Sequence, residues 1–72
     1  SNPDIAFAYA RTLLQKGDAG KVISVLAPFA NAPDARIDIR EVYAKALLAD
    51  KRLVEAEPFI WHLFQARPGP KR

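Results

Sequence analysis

The chain has 72 residues, and its eleven Lys and Arg against eight Asp and Glu leave a net charge of +3. That is one small domain, whose core supplies only about 3–5 kcal/mol of net stability. With no cysteine and one histidine, a disulfide framework and a thiolate metal site are excluded, and a histidine-based metal site lacks ligands.

Further stability therefore has to come from neighbouring protein surface. No apolar run approaches the roughly 18 residues that span a bilayer, so the sequence predicts a soluble chain with no membrane insertion. Cytoplasmic and periplasmic placement fit it equally. Methionine is absent even at the first position, and Ser1-Asn2 reads as a cloning remnant, so the chain is expected to be an excerpt of a larger protein. Basic residues are scattered from Arg11 to Arg72, with only Lys51-Arg52 and Lys71-Arg72 adjacent. Such a distribution fits an ordinary solvated surface better than an electrostatic footprint for nucleic acid.

Asn2-Pro3-Asp4 opens a helix: Asn caps, Pro suits the first helical position, and Asp favours the positive end of the dipole. The helix should run to about Lys16 with Ala6, Tyr9, Ala10 and Leu13 along its inward side. Gly17 stops it and Asp18 caps the next. The second helix carries Val22, Val25, Leu26, Phe29 and Ala30 as one stripe. Pro28 removes the hydrogen bond to Ser24, which predicts a kink or an early finish.

Asn31-Ala32-Pro33-Asp34 is the clearest break, ending on a capping Asp. The third helix is expected over about 35–49 with Ile39, Val42, Tyr43, Ala46 and Leu47 inward. Asp50-Lys51-Arg52 turns the chain. The fourth helix follows over about 53–66 with Leu53, Ala56, Ile60, Leu63 and Phe64 inward, and Arg67-Pro68-Gly69-Pro70 ends it. No alternating strand pattern of useful length appears. The expectation is an all-α chain of four helices.

Tyr9-Ala10-Arg11-Thr12-Leu13-Leu14 returns as Tyr43-Ala44-Lys45-Ala46-Leu47-Leu48, a step of 34 residues. A period of that length in a helix-forming sequence points to stacked helical hairpins. The residues resemble the tetratricopeptide repeat family as two repeats, one over about 3–34 and one over about 35–68, with 69–72 a tail. The pattern slots of the first hold Ala6, Tyr9, Ala10, Leu13, Val22, Leu26 and Asp34, with Pro33 one residue early. Those of the second hold Arg40, Tyr43, Ala44, Leu47, Ala56, Ile60 and Pro68. Short side chains are needed where paired helices approach, and Ala44 with Ala56, or Ala10 with Val22, meets that need. The identities of the aromatics and the arginine at the tryptophan slot, Arg40, depart from the family pattern.

The resemblance implies two tandem antiparallel hairpins in a right-handed superhelical stack, acting as a non-catalytic scaffold that binds a peptide or partner helix. In that family the first helix of each hairpin lines a concave groove. The groove candidates implied here are Phe7, Arg11, Leu14, Gln15, Asp38, Glu41, Lys45 and Leu48. Arg11 and Lys45 lie one repeat apart, where two cations could follow one peptide carboxylate track. The opposing reading is two solvated helix cations, with Glu41 four residues before Lys45 as a routine pair. Chaperone-tail recognition in the family uses lysine and asparagine in the groove, and Asn2 and Asn31 lie outside these positions.

No enzyme and no cofactor are expected. Hydroxyls are few, and the single base, His62, sits beside Trp61 and Leu63 off the inward stripe, as a surface or packing histidine. Glu55 and Glu57 point apart on their helix and serve its dipole. Gly17 and Gly20 bracket a turn without the lysine and hydroxyl of a phosphate loop. The fourth helix is apolar nearly all round, through Val54, Phe59, Trp61 and Phe64 besides its inward stripe. These four are candidates for an association surface, through a further repeat, a homodimer or a natural partner; the alternative is that Phe59 and Trp61 drape over their own hairpin. A helical-repeat segment that binds nucleic acid through its dispersed basic residues is the alternative function.

Overall fold

Each helix starts and stops where local chemistry dictates. The computed structural model describes the backbone of residues 2–66 and the side chains of residues 2–61. Helix α1 spans Pro3–Gln15, α2 Ala19–Ala30, α3 Ile37–Ala49 and α4 Leu53–Ala66, with no strand among the described residues. Asn2 caps α1, its side-chain oxygen accepting from the Asp4 N–H at 2.9 Å, with Pro3 in the first turn. Asp18 caps α2 by accepting from the Lys21 N–H at 3.3 Å. Helix α2 continues for two residues past Pro28.

The start of α3 differs from expectation. Asp34 does not cap it; the turn runs on, and the helix opens after Arg36, which forms no side-chain cap. Asp38 supplies the missing acceptor instead, taking the Ile39 N–H at 2.8 Å. Helix α4 contains a second interior proline, Pro58. Pro58 leaves the carbonyl of Val54 without its helical donor, and Val54 is exposed, so water can serve that oxygen.

The repeat is visible in the backbone. Gly17 and Lys51 have positive φ, 83° and 62°, and no other described residue does. They are 34 positions apart. Both close the preceding helix with the same two bonds. The Asp18 N–H donates to the Leu13 carbonyl at 2.9 Å, and the Gly17 N–H to Leu14 at 3.0 Å. One period on, the Arg52 N–H donates to Leu47 at 2.8 Å, and the Lys51 N–H to Leu48 at 3.0 Å. This is the Schellman closure, which satisfies carbonyls left orphaned at a helix end.

The helices pack as consecutive antiparallel hairpins. Helix α2 lies against α1 and α3, α4 lies against α3, and α1 also touches α3. Among the described residues α1 and α4 do not meet, as they would in a closed four-helix bundle. The long dimension is 39 Å, against a longest helix of roughly 21 Å.

Leu26, Ile39, Leu47 and Val22 are the largest fully buried side chains, and Ala10, Ala46 and Ala56 let the helices approach closely among them. No polar side chain is buried among the described residues. Three residues expected inward are not: Tyr9, Leu53 and Ile60 are exposed. Leu63 and Phe64, also expected inward, lie outside the described side chains, as do His62 and residues 67–72 with Pro68.

Candidate functional site

The face built from α1 and α3 is ordered by one residue that sequence reasoning missed. Arg36, just before α3, donates through Nε and Nη2 to the two oxygens of Asp38 at 3.1 and 2.8 Å. Its Nη1 bonds Asp4 at the start of α1. Asp4 and Asp38 are one period apart, so a single guanidinium ties equivalent positions of the two hairpins. The Arg36 hydrogen bonds hold the Asp38 carboxyl below its ordinary value of 3.8, helped by the Ile39 N–H and opposed by partial burial.

Phe7 is half-buried against the core, with the guanidiniums of Arg36 and Arg11 over its ring at 5.5 and 5.7 Å. Arg11 is therefore engaged with the residue four positions before it. Lys45 likewise reaches back to Glu41, at 4.0 Å. Asp38 and Glu41 are partly buried, Gln15 is exposed in the last turn of α1, and Leu14 packs partly against the core. Leu48, the remaining groove candidate, sits elsewhere. It lines an open hollow with Leu53, Val54, Glu57 and Ile60.

That hollow is a strongly apolar exposed feature. Leu48, Leu53, Val54 and Ile60 are all exposed, and so is Trp61 beside them. Of the association candidates, Val54 and Trp61 lie on this outer side of α4, and the Phe64 side chain lies outside the described residues. Phe59 has turned the other way. Its ring meets Tyr43 edge-on, 4.9 Å between centroids at 73°, half-buried against the core. Phe59 thus closes the second hairpin, and Leu53, Ile60 and Leu48 take its place on the outer face. An apolar side chain on nearly every side of α4 gave its stripe no unique phase, and that is why the sequence misjudged it.

Arg40 explains its own departure from the repeat pattern. Its Nε and Nη2 donate to the carbonyls of Ala30, the last residue of α2, and Ala32, just past it, at 3.3 and 2.8 Å. A cation at that negative helix end seals the junction between the hairpins.

Among the described residues, several cations are already committed. Arg36 holds two aspartates, Arg52 holds Asp50 at 2.8 Å and approaches Glu55 at 3.7 Å, and Arg40 holds carbonyls. Among the described residues no group of acidic or histidine side chains is placed to hold a metal ion, and no helix is long and apolar enough to cross a membrane. No family model matches the chain, and neither a curated protein nor a solved structure matches it.

Proposed function

We propose that the chain is a non-catalytic protein-interaction module of the tetratricopeptide-repeat type, a small scaffold of two hairpins that holds a partner helix. The observation that carries this reading is the hollow on α4, where Leu48, Leu53, Val54 and Ile60 expose contiguous apolar surface. Surface of that kind in a stack with so small a core favours burial against another protein. Three further features support the family reading: the 34-residue spacing, its two matching Schellman closures, and the order in which the helices pack. The α1–α3 face with Phe7, Arg11, Asp38, Glu41 and Lys45 is the second surface, suited to a polar peptide. Its cations are partly neutralised by their own neighbours, which also weakens the case for nucleic acid.

A displayed library of amphipathic helical peptides, followed by amide-shift mapping of the bound state, tests the reading. Selected peptides should perturb residues 48–60, and Val54→Glu should weaken binding at least about tenfold, roughly 1.4 kcal/mol. The reading fails if the library yields no ligand, or if ligands ignore Val54→Glu. A preference for single-stranded RNA, with affinity falling steeply as salt rises, would replace it.

A further inference from the structure

Equivalent residues of the two hairpins should be equally buried if they had equivalent neighbours. They are not. The α1–α2 pairing corresponds to the α3–α4 pairing, but α2 has a second neighbour, α3, and α4 has no described counterpart to it. Leu26 is 0 % exposed and its equivalent Ile60 is 42 %; Ala19 is 8 % exposed and its equivalent Leu53 is 63 %. The first hairpin shows what belongs on such a face: an amphipathic helix in the place of α3.

The other end of the stack shows the converse. Helix α3 is covered by α1 and α2 from the preceding hairpin, whereas nothing described precedes α1. Ile39 is accordingly 1 % exposed and its equivalent Ile5 is 68 %. Tyr43 is buried, and its equivalent Tyr9 is exposed. The chain therefore carries, at opposite ends, an α2-like face wanting an α3-like helix and an α3-like helix wanting an α2-like face.

We infer that α4 receives α1 of a second copy of this chain, head to tail, continuing the stack by one period. The inference rests on the reading of α4 as a protein-binding face and names its occupant. The incoming Ile5 takes the place of Ile39, which lies toward the end of α2 where Arg40 bonds the Ala30 and Ala32 carbonyls. Ile5 therefore faces the Ile60 end of α4, and Leu53 faces the later turns of the incoming helix. Such a contact joins two different surfaces, so it leaves a free end at each step and does not stop at two copies. Two substitutions make it weaker than the internal joint. Ala6 stands where Arg40 clamps the end of α2, and exposed Glu57 stands where α2 has buried Ile23. Assembly is thus reversible, and Glu57→Ile strengthens it.

The test is sedimentation velocity of the full chain over a concentration series, with Ile5→Glu and Leu53→Glu as single variants and as an equimolar mixture. Both sites are exposed, and helical circular dichroism checks each fold; Tyr9→Glu and Ile60→Glu replace any variant that loses it, Ile60 being the exposed equivalent of the buried Leu26. The unsubstituted chain, 8.0 kDa, should rise in mass with concentration beyond two copies. Each variant alone should stay at one copy. The mixture should form pairs that grow no further, because each variant keeps the face the other lacks.

A chain that remains at one copy throughout overturns the inference. Assembly that survives Ile5→Glu but not Leu53→Glu overturns it in favour of α4 pairing with α4. A mixture that does not pair overturns it as well. A single-copy chain that still binds helical peptides at residues 48–60 would leave the interaction-module reading standing, whereas loss of both would remove it too.

Discussion

Lys51 holds at φ 62° the position that Gly17 holds at 83° in the first hairpin. The left-handed region costs a side-chain-bearing residue about 1–2 kcal/mol, and glycine gives back part of that through its freer unfolded state. Lys51→Gly should therefore raise stability by about 0.5–1 kcal/mol in chemical denaturation. Gly17→Ala should lower it by about 1 kcal/mol, through the backbone alone, because a Cβ there meets nothing within 4 Å. Equal stability of the Lys51→Gly chain and its parent would mean that the strain is not there.

Arg40 offers a second residue-scale test. Its removal orphans the carbonyls of Ala30 and Ala32 at the end of α2, and Arg40→Ala should cost about 1–2 kcal/mol. Lysine keeps the charge but cannot fork to both carbonyls, so Arg40→Lys should fall between. Asp38 gives a pH signature. Its folded value is depressed below 3.8, so its contribution is fully present above that value and is lost as pH falls through the folded value. The difference in melting temperature between the parent and Asp38→Asn should be constant from pH 7 to about pH 4 and close below it. High salt should shrink the same difference, since the pair is exposed. Arg36 could not be foreseen because its partner Asp4 lies 32 positions away and no local pattern marks the pairing.

The boundaries of α1 and α2 were the most legible, because Asn2, Asp18 and Gly17 act within one turn of themselves, whereas the expected Asp34 cap did not form and α3 opens only after Arg36. The phase of a helix was legible only where its polar side was clear. In α3 all five expected inward residues are buried. In α4, where Leu53, Val54, Phe59, Ile60 and Trp61 are all apolar, the choice between Phe59 and Ile60 as the inward residue depends on Tyr43, which receives the Phe59 edge. Tyr9 failed for another reason: its sequence matches Tyr43, but Tyr43 is covered by the Phe59 ring of its own hairpin, where the first hairpin has the smaller Val25. Phe59→Ala should cost about 2–3 kcal/mol, somewhat less than a fully buried phenylalanine. Trp61→Ala, on the exposed side, should cost far less. The ranking of elements follows from their neighbours. Helices α2 and α3 are flanked on both sides, so their central amides should exchange most slowly, approaching the global unfolding free energy. Slower exchange in α1 than in α3 would contradict the packing order.

At the scale of the whole molecule, the account rests on a stack whose two ends are complementary and incompletely buried. The 34-residue period made the stack legible, since it is written in the residue types and again in the left-handed turns at Gly17 and Lys51. The complementarity of the ends was not legible, because it appears only when the burial of equivalent positions is compared. A small core gains most from burying such ends, and association stabilises the folded chain by mass action. Melting temperature should then rise with protein concentration, an effect that Leu53→Glu should abolish.

The most direct measurement is amide hydrogen exchange of the unsubstituted chain at low and high concentration. Protection should increase with concentration along α1 around Ile5 and Tyr9 and along α4 from Leu53 to Ile60, and the central amides of α2 and α3 should gain only the global stabilisation that association supplies. Exchange that is identical at both concentrations, or added protection on α4 without α1, would contradict the account.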